Sequence, residues 1–202
     1  MTTATIDVVD QLVGVQEGDA LDDLRHRRTV TREQLQASYD ALFAPVDDTA
    51  FLVAERLLVA AFATRSTSDD ATAAFYAAAA RRADAARAEI VLAEASAAAT
   101  AGPFGTYREE GLRGESSDGR RYEPGPDVRE ALGERLTAAL GHAHLLTFRP
   151  READGADQSR LLESGWSADG IVTLSQLVSF LAFQQRVAAG LRAIRSSQEV
   201  SA

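Results

Sequence analysis

The chain has 202 residues, enough to bury one sizeable core, and 46% hydrophobic against 25% charged residues is ordinary globular usage. Its formal net charge of -9 repels phosphate backbones and anionic lipid head groups, which disfavours nucleic-acid and membrane partners. Without cysteine it can form no disulfide, no thiolate zinc site and no redox dithiol of its own.

Alanine is heavily used and aromatics supply only 6%, a helix-rich balance. Met1-Thr2-Thr3-Ala4-Thr5-Ile6-Asp7 lacks the basic and apolar regions of a signal peptide, and no uncharged apolar stretch reaches the ~18–20 residues that span a bilayer. A cytoplasmic location is expected. Residues 6–15 and 20–27 read as two short helices, the first with an apolar stripe of Ile6, Val9, Leu12 and Val13. The tight basic run Arg25-His26-Arg27-Arg28 reads as a solvated helix end. Thr31 and Gln34 have capping-box spacing ahead of Leu35, Tyr39, Leu42 and Phe43, and Ala44-Pro45 stops that helix.

The next helix is expected to start near Asp47 or Asp48. Its stretch 51–62 is apolar almost all round, interrupted by Glu55 and Arg56, and so marks a central buried helix. From Ser68 to Ala101 the chain is alanine-rich. Asp84 divides it, as a cap, into a helix bearing Phe75 and Tyr76 and one bearing Ile90, Val91 and Leu92. Residues 102–126 mix Gly, Pro, Ser and charge without periodicity. Loops of this length tend to be functional, and Phe104, Tyr107 and Tyr122 within it predict that it packs back on the body as a lid or interface segment.

Asp127 and Glu130 start a helix that carries Val128, Leu132, Leu136, Ala139, Leu140 and Ala143 inward and runs through His142 and His144. Pro150 closes that region, a short helix over 157–163 ends at Gly165, and residues 167–194 form a second central helix. The expected fold is all-α, a single domain over 1–202 built around two long buried helices, with 102–126 linking its halves. Segments 55–59 and 175–179 superpose at a constant offset, which leaves open a pair of related helical hairpins.

The stretch 161–180, with its continuation through 185–191, combines with Arg32-Glu33, Ala37-Ser38-Tyr39, Ala54-Glu55-Arg56 and His142-Ala143-His144-Leu145-Leu146. Together these resemble the carboxymuconolactone decarboxylase and alkylhydroperoxidase-like superfamily, in its cysteine-lacking branch of CMD domain proteins. The resemblance runs over residues 6–194 and implies an all-helical, alkylhydroperoxidase-like fold that forms homo-oligomers through helix faces beside the active site. Peroxidases of the superfamily carry a Glu, then Cys-x-x-Cys, then a His. Glu55 matches the Glu, but the cysteine positions fall near Thr67 and Asp70 and the His position near Ala74, and a hydroxyl cannot replace a redox thiolate. The resemblance therefore implies a non-redox binding or partner subunit, beside a cysteine-bearing related protein. Decarboxylases of the superfamily work on lactones without cysteine, so a non-thiol acid/base enzyme acting on a small carboxylated or lactone-like substrate is the alternative.

Glu55, set in an otherwise apolar helix, is a candidate for general acid or base work, against an ion pair with Arg56, Arg65 or another arginine. His142 and His144 bring proton-transfer capacity next to the core, against plain burial with a bond to a backbone carbonyl. Residues i and i+2 on a helix point about 200° apart, so one ring is expected inside and the other at an interface or in solvent, and no metal clip forms. No metal or cofactor is expected. Tyr76, Tyr107, Trp166 and Arg186 are candidate pocket residues for a small-molecule ligand, with Arg186 to meet a carboxylate and Trp166 as a flat wall, against packing or surface pairing. GxGxxG, GxxxxGK and GxSxG motifs do not occur, so nucleotide and serine-hydrolase readings fall away.

Overall fold

The computed structural model describes residues 7–200. It is all-helical, with no strand among the described residues and a lone bridge between Gly105 and Ser117. The helices are α1 (Val8–Val13), α2 (Ala20–His26), α3 (Thr29–Phe43), α4 (Val53–Thr67), α5 (Ala71–Ala83), α6 (Ala85–Ala98), α7 (Pro126–Leu132), α8 (Glu134–Phe148), α9 (Gly155–Glu163) and α10 (Ala168–Val200).

The centre is α4, which packs against α5, α6, α8 and α10. Leu58, Val59, Ala60, Ala61 and Phe62 are fully buried, so neighbours press on every side of it. Alanines at 73, 77, 80, 88 and 95 on α5 and α6 keep those two helices close to it. The second central helix, α10, buries Leu174, Leu177, Leu181 and Ala188, and α8 lies against both with Leu136, Ala139, Leu140 and Ala143. Each fully buried leucine contributes about 1.5–3 kcal/mol of transfer free energy, which explains why the two apolar runs define the fold.

Several helix ends are set by polar devices that periodicity does not reveal. Asp70 caps α5, accepting from Thr72 N (2.9 Å) and Ala73 N (3.0 Å), and Asp84 caps α6 as its position suggests. The Thr31–Gln34 spacing is not used as a cap: α3 begins at Thr29, whose hydroxyl donates to His26 O at 2.9 Å, and Thr31 lies inside the helix. The central helix begins at Val53, not at Asp47 or Asp48. Residues before it turn to seat Phe51, 0% exposed, while the Asp48 carboxylate accepts from Val53 N at 2.9 Å. Gly133, at φ +80°, breaks the helix expected from Asp127 into α7 and α8. The last helix outruns its apolar stripe because Arg192 pairs with Asp70 at 2.5 Å and Arg195 donates to Val13 O at 2.6 Å.

Before α4, a clasp ties α1, α2 and α3 together. Buried Arg25 meets Asp7 and Asp10, each at 2.5 Å, and Arg32 meets Asp10 at 2.6 Å. Ile6, expected in the first apolar stripe, lies outside the described residues. The basic run is thus not wholly solvated, since Arg25 is drawn inward. No single helix among the described residues is long and apolar enough to cross a membrane; α9 and α10 together pass on length and composition but bend by 119° between them.

Candidate functional site

The segment between α6 and α7 is irregular, as its composition predicts, and it packs back on the body. A short 3-10 helix covers Glu110–Glu115. Phe104 N donates to Phe148 O at 2.6 Å, Arg149 donates to Gly119 O at 2.6 Å, and Arg151 stacks on the Tyr107 ring at 4.0 Å. Farther on, Tyr122 lies against Phe62 (ring centroids 4.9 Å apart) and donates its hydroxyl to Glu94 at 2.8 Å. Burial, reinforced by the Glu94 carboxylate, pushes the Tyr122 phenol far above its ordinary pKa, so it remains a donor.

That packing makes one wall of a cleft of about 710 Å³ between residues 121–124 of the segment, α8 and α9. Tyr122, Thr137, Gly141, His142, His144 and Leu161 are among its lining residues. A Cβ at Gly141 would meet no atom within 4 Å, so this glycine in the middle of α8 widens the cleft without a packing reason.

Both histidines line this one cleft, and both are buried, at 8% and 2% exposure. One ring had been expected at an interface or in solvent. The rings do diverge around α8, but the helix is enclosed on both flanks: His142 turns to Ser175 of α10, and His144 to the end of α6, Tyr122 and Phe148. The Ser175 hydroxyl lies 2.9 Å from Ile171 O and 3.0 Å from His142 Nε2, two partners for one proton. His142 Nδ1 is buried without a partner. Burial pushes the His142 pKa below the ordinary histidine value, and the Asp157 carboxylate draws it back only in part. In His144 burial also lowers the pKa, opposed by the Ala98 carbonyl and aided by Arg120 and Arg149. Nε2 of His144 is, like His142 Nδ1, buried without a partner.

Glu55 is elsewhere. It is buried at 8% exposure in the first turn of α4, and its cation is Arg135 of α8, with N···O separations of 3.4 Å. Arg135 also donates to Gly165 O (2.8 Å) and Ala50 O (2.9 Å) and stacks on Trp166 at 3.9 Å. Trp166, 3% exposed, returns its indole N–H to Arg135 O at 2.9 Å and meets Phe51 edge-on. This clamp locks α4, α8 and the start of α10 together, and Glu55 is not among the cleft's lining residues. Arg56 holds Phe51 O and Leu42 O, each at 2.7 Å.

The four candidate pocket residues do not come together. Tyr76 is fully buried between Phe43 and Phe75, donating to Gln184 at 2.6 Å. Tyr107 accepts from Arg151 at 3.0 Å, Trp166 sits in the clamp, and exposed Arg186 donates to Ala182 O of its own helix at 3.0 Å. The positions aligned with the peroxidase dithiol have structural partners: Thr67 shares a hydrogen bond with Gln185, and Asp70 caps α5 and pairs with Arg192. Residues the sequence reading missed are Ser175, Tyr122 as a cleft wall, and Arg135. Gly141 carried the readable signal, a helix-breaking residue in a strong helix beside a histidine.

Among the described residues no group of three or more His, Asp or Glu is placed to hold a metal ion. No family of known proteins, no curated protein and no solved structure matches this chain.

Proposed function

We propose that this protein is a non-thiol, helical small-molecule-binding protein whose ligand enters the cleft over His142 and His144. One observation carries the proposal: two buried, neutral imidazoles, each with a ring nitrogen lacking any protein partner, line the same cleft of about 710 Å³. A buried polar atom without a partner costs about 1–3 kcal/mol, and a ligand's polar group is the economical way to recover it. The volume lies within the ~300–1,000 Å³ of ordinary small-molecule sites. Likeness to cysteine-lacking alkylhydroperoxidase-like proteins belongs to the same proposal, and its non-redox part is supported by the structural duties of Thr67 and Asp70. Purified protein is expected to consume no peroxide with any dithiol reductant, and measurable turnover would overturn the non-redox reading.

A second reading, a non-thiol acid/base enzyme, is favoured by two buried histidines lining one cleft, each with a ring nitrogen that no protein group occupies. In this reading the proton moves through a histidine without Glu55, whose carboxylate is occupied by Arg135. The test for the binding function is a thermal-shift screen of small polar compounds on wild type and Gly141→Leu. A Cβ at this position meets nothing within 4 Å, so the substitution projects into the cleft. Compounds that stabilise wild type and not the variant support the site; hits unaffected by the variant, or no hits at all, overturn it.

A further inference from the structure

The outer face of α10 carries a pattern that packing within the chain does not use. Val172, Phe183 and Ile194 are 57%, 46% and 38% exposed, and they stand 11 residues apart. Eleven residues make three turns of about 3.67 residues, so the three side chains follow one nearly straight line along the helix. The same line passes through Gln176, Ser179, Val187 and Gly190, and its steps of 4-3-4-4-3-4 residues read identically from either end, with Phe183 at the centre. Ser179 donates to Ser175 O of its own helix at 2.9 Å, so it brings no unmet donor to this line. Gly190 lies inside the helix, where glycine is weaker than alanine, and a Cβ there would meet nothing within 4 Å, so no contact within the chain asks for it.

A line of positions that reads the same in both directions is what a two-fold axis requires, because each copy then offers the same patch to the other. With a second α10 laid antiparallel across Phe183, the two Phe183 rings meet and Val172 faces Ile194 of the second copy. Ser179 falls opposite Val187, and Gln176 opposite the bare backbone of Gly190, so bulk is set against small residues. Chains of formal charge -9 repel one another. From Gly170 to Leu191, however, Arg186 is the only charged residue on α10, so this helix sets no carboxylate against another. The line is ~33 Å long, and a helix strip ~10–12 Å wide gives a footprint of roughly 700 Å² over both copies. That is the scale of a weak, reversible association.

We infer that this face docks a second copy of the chain, forming a reversible, antiparallel two-fold dimer across α10. The inference does not depend on the cleft. Sedimentation equilibrium of the full chain from about 1 μM to about 1 mM tests it. Wild type is expected to pass from monomer to dimer over that range. Phe183→Glu sets two carboxylates together at the axis and is expected to weaken the dimer about tenfold or more, with its helical circular dichroism retained because Phe183 is half-exposed. Two double variants test the register. Val172→Lys with Ile194→Glu puts opposite charges in contact at both ends of the line, and Val172→Lys with Ile194→Lys puts like charges there. The first is expected to dimerise about ten times more tightly than the second, although it carries the greater net negative charge. A wild type that stays monomeric throughout, or a dimer indifferent to Phe183→Glu, would overturn the inference. A first double variant no tighter than the second would overturn the antiparallel register.

Discussion

Replacing Arg135 by alanine removes the cation of a clamp that joins α4, α8 and the α9–α10 turn. Breaking a buried pair by deleting one partner costs about 3–5 kcal/mol. Here Glu55 is nearly closed off, but the Arg135 side chain is 31% exposed and the N···O contacts are 3.4 Å, so water offsets much of that loss. Two further donors go with it, to Gly165 O and Ala50 O, at about 1 kcal/mol each. The stack on Trp166 adds roughly 0.5–1 kcal/mol. A net loss of about 3 kcal/mol is expected, a Tm lower by roughly 6–12 °C for a chain of this size. Urea and thermal unfolding followed by circular dichroism measure it. Glu55→Gln keeps an acceptor for Arg135, so it should cost about 1 kcal/mol and leave ligand binding in the cleft unchanged. A loss under about 1 kcal/mol for Arg135→Ala would refute the clamp, and folded Glu55→Gln protein that no longer binds ligand would return Glu55 to the site.

Burial depresses both His142 and His144, so the folded protein takes up fewer protons than the unfolded chain below the ordinary histidine pKa. Stability is therefore full above about pH 7 and falls as pH drops through ~6.5 and below; the His142→Gln/His144→Gln protein should show a flatter Tm profile there, and an equally steep one would refute the assignment. Ligand binding in the cleft should change in the same window, because protonation alters the charge and the hydrogen bonding of both rings. Gly119→Ala would place a Cβ 2.3 Å from the Phe104 ring; a cost of about 1–3 kcal/mol and faster proteolysis within 102–125 are expected, and unchanged cleavage would count against the packed segment. Tyr76→Phe leaves fully buried Gln184 without its donor, and a loss of about 1–3 kcal/mol by calorimetry is expected; an unchanged Tm would mean that Gln184 has another partner.

The helical class and both central helices were legible because α4 and α10 carry long apolar runs whose period and length admit no other element. Asp84 was legible as a cap and Ala44-Pro45 as a stop, since each acts within one turn of the helix it limits. The start of α4 was not, because the Asp48 carboxylate reaches across a turn to Val53 N, a bond set by where Phe51 packs. Of the site, His142 and His144 were visible as rare titratable groups beside an apolar stripe. Glu55 was visible too, but its arginine lies 80 residues away in sequence, and only tertiary packing reveals that the carboxylate is committed. Ser175 meets the His142 ring from 33 residues away, and no local pattern marks it.

Only three histidines occur in the chain, so their ring nitrogens can be followed individually by NMR. His26 provides an internal control, because it lines a separate depression with Asp7, Arg32 and Asp40. Titrating, at neutral pH, a compound that stabilises wild type but not Gly141→Leu tests the central claim directly. His142 Nδ1 and His144 Nε2 should both shift and saturate together at one affinity, with His26 unmoved. Saturable binding of that compound that leaves both signals in place, or equal movement of all three rings, would contradict the account.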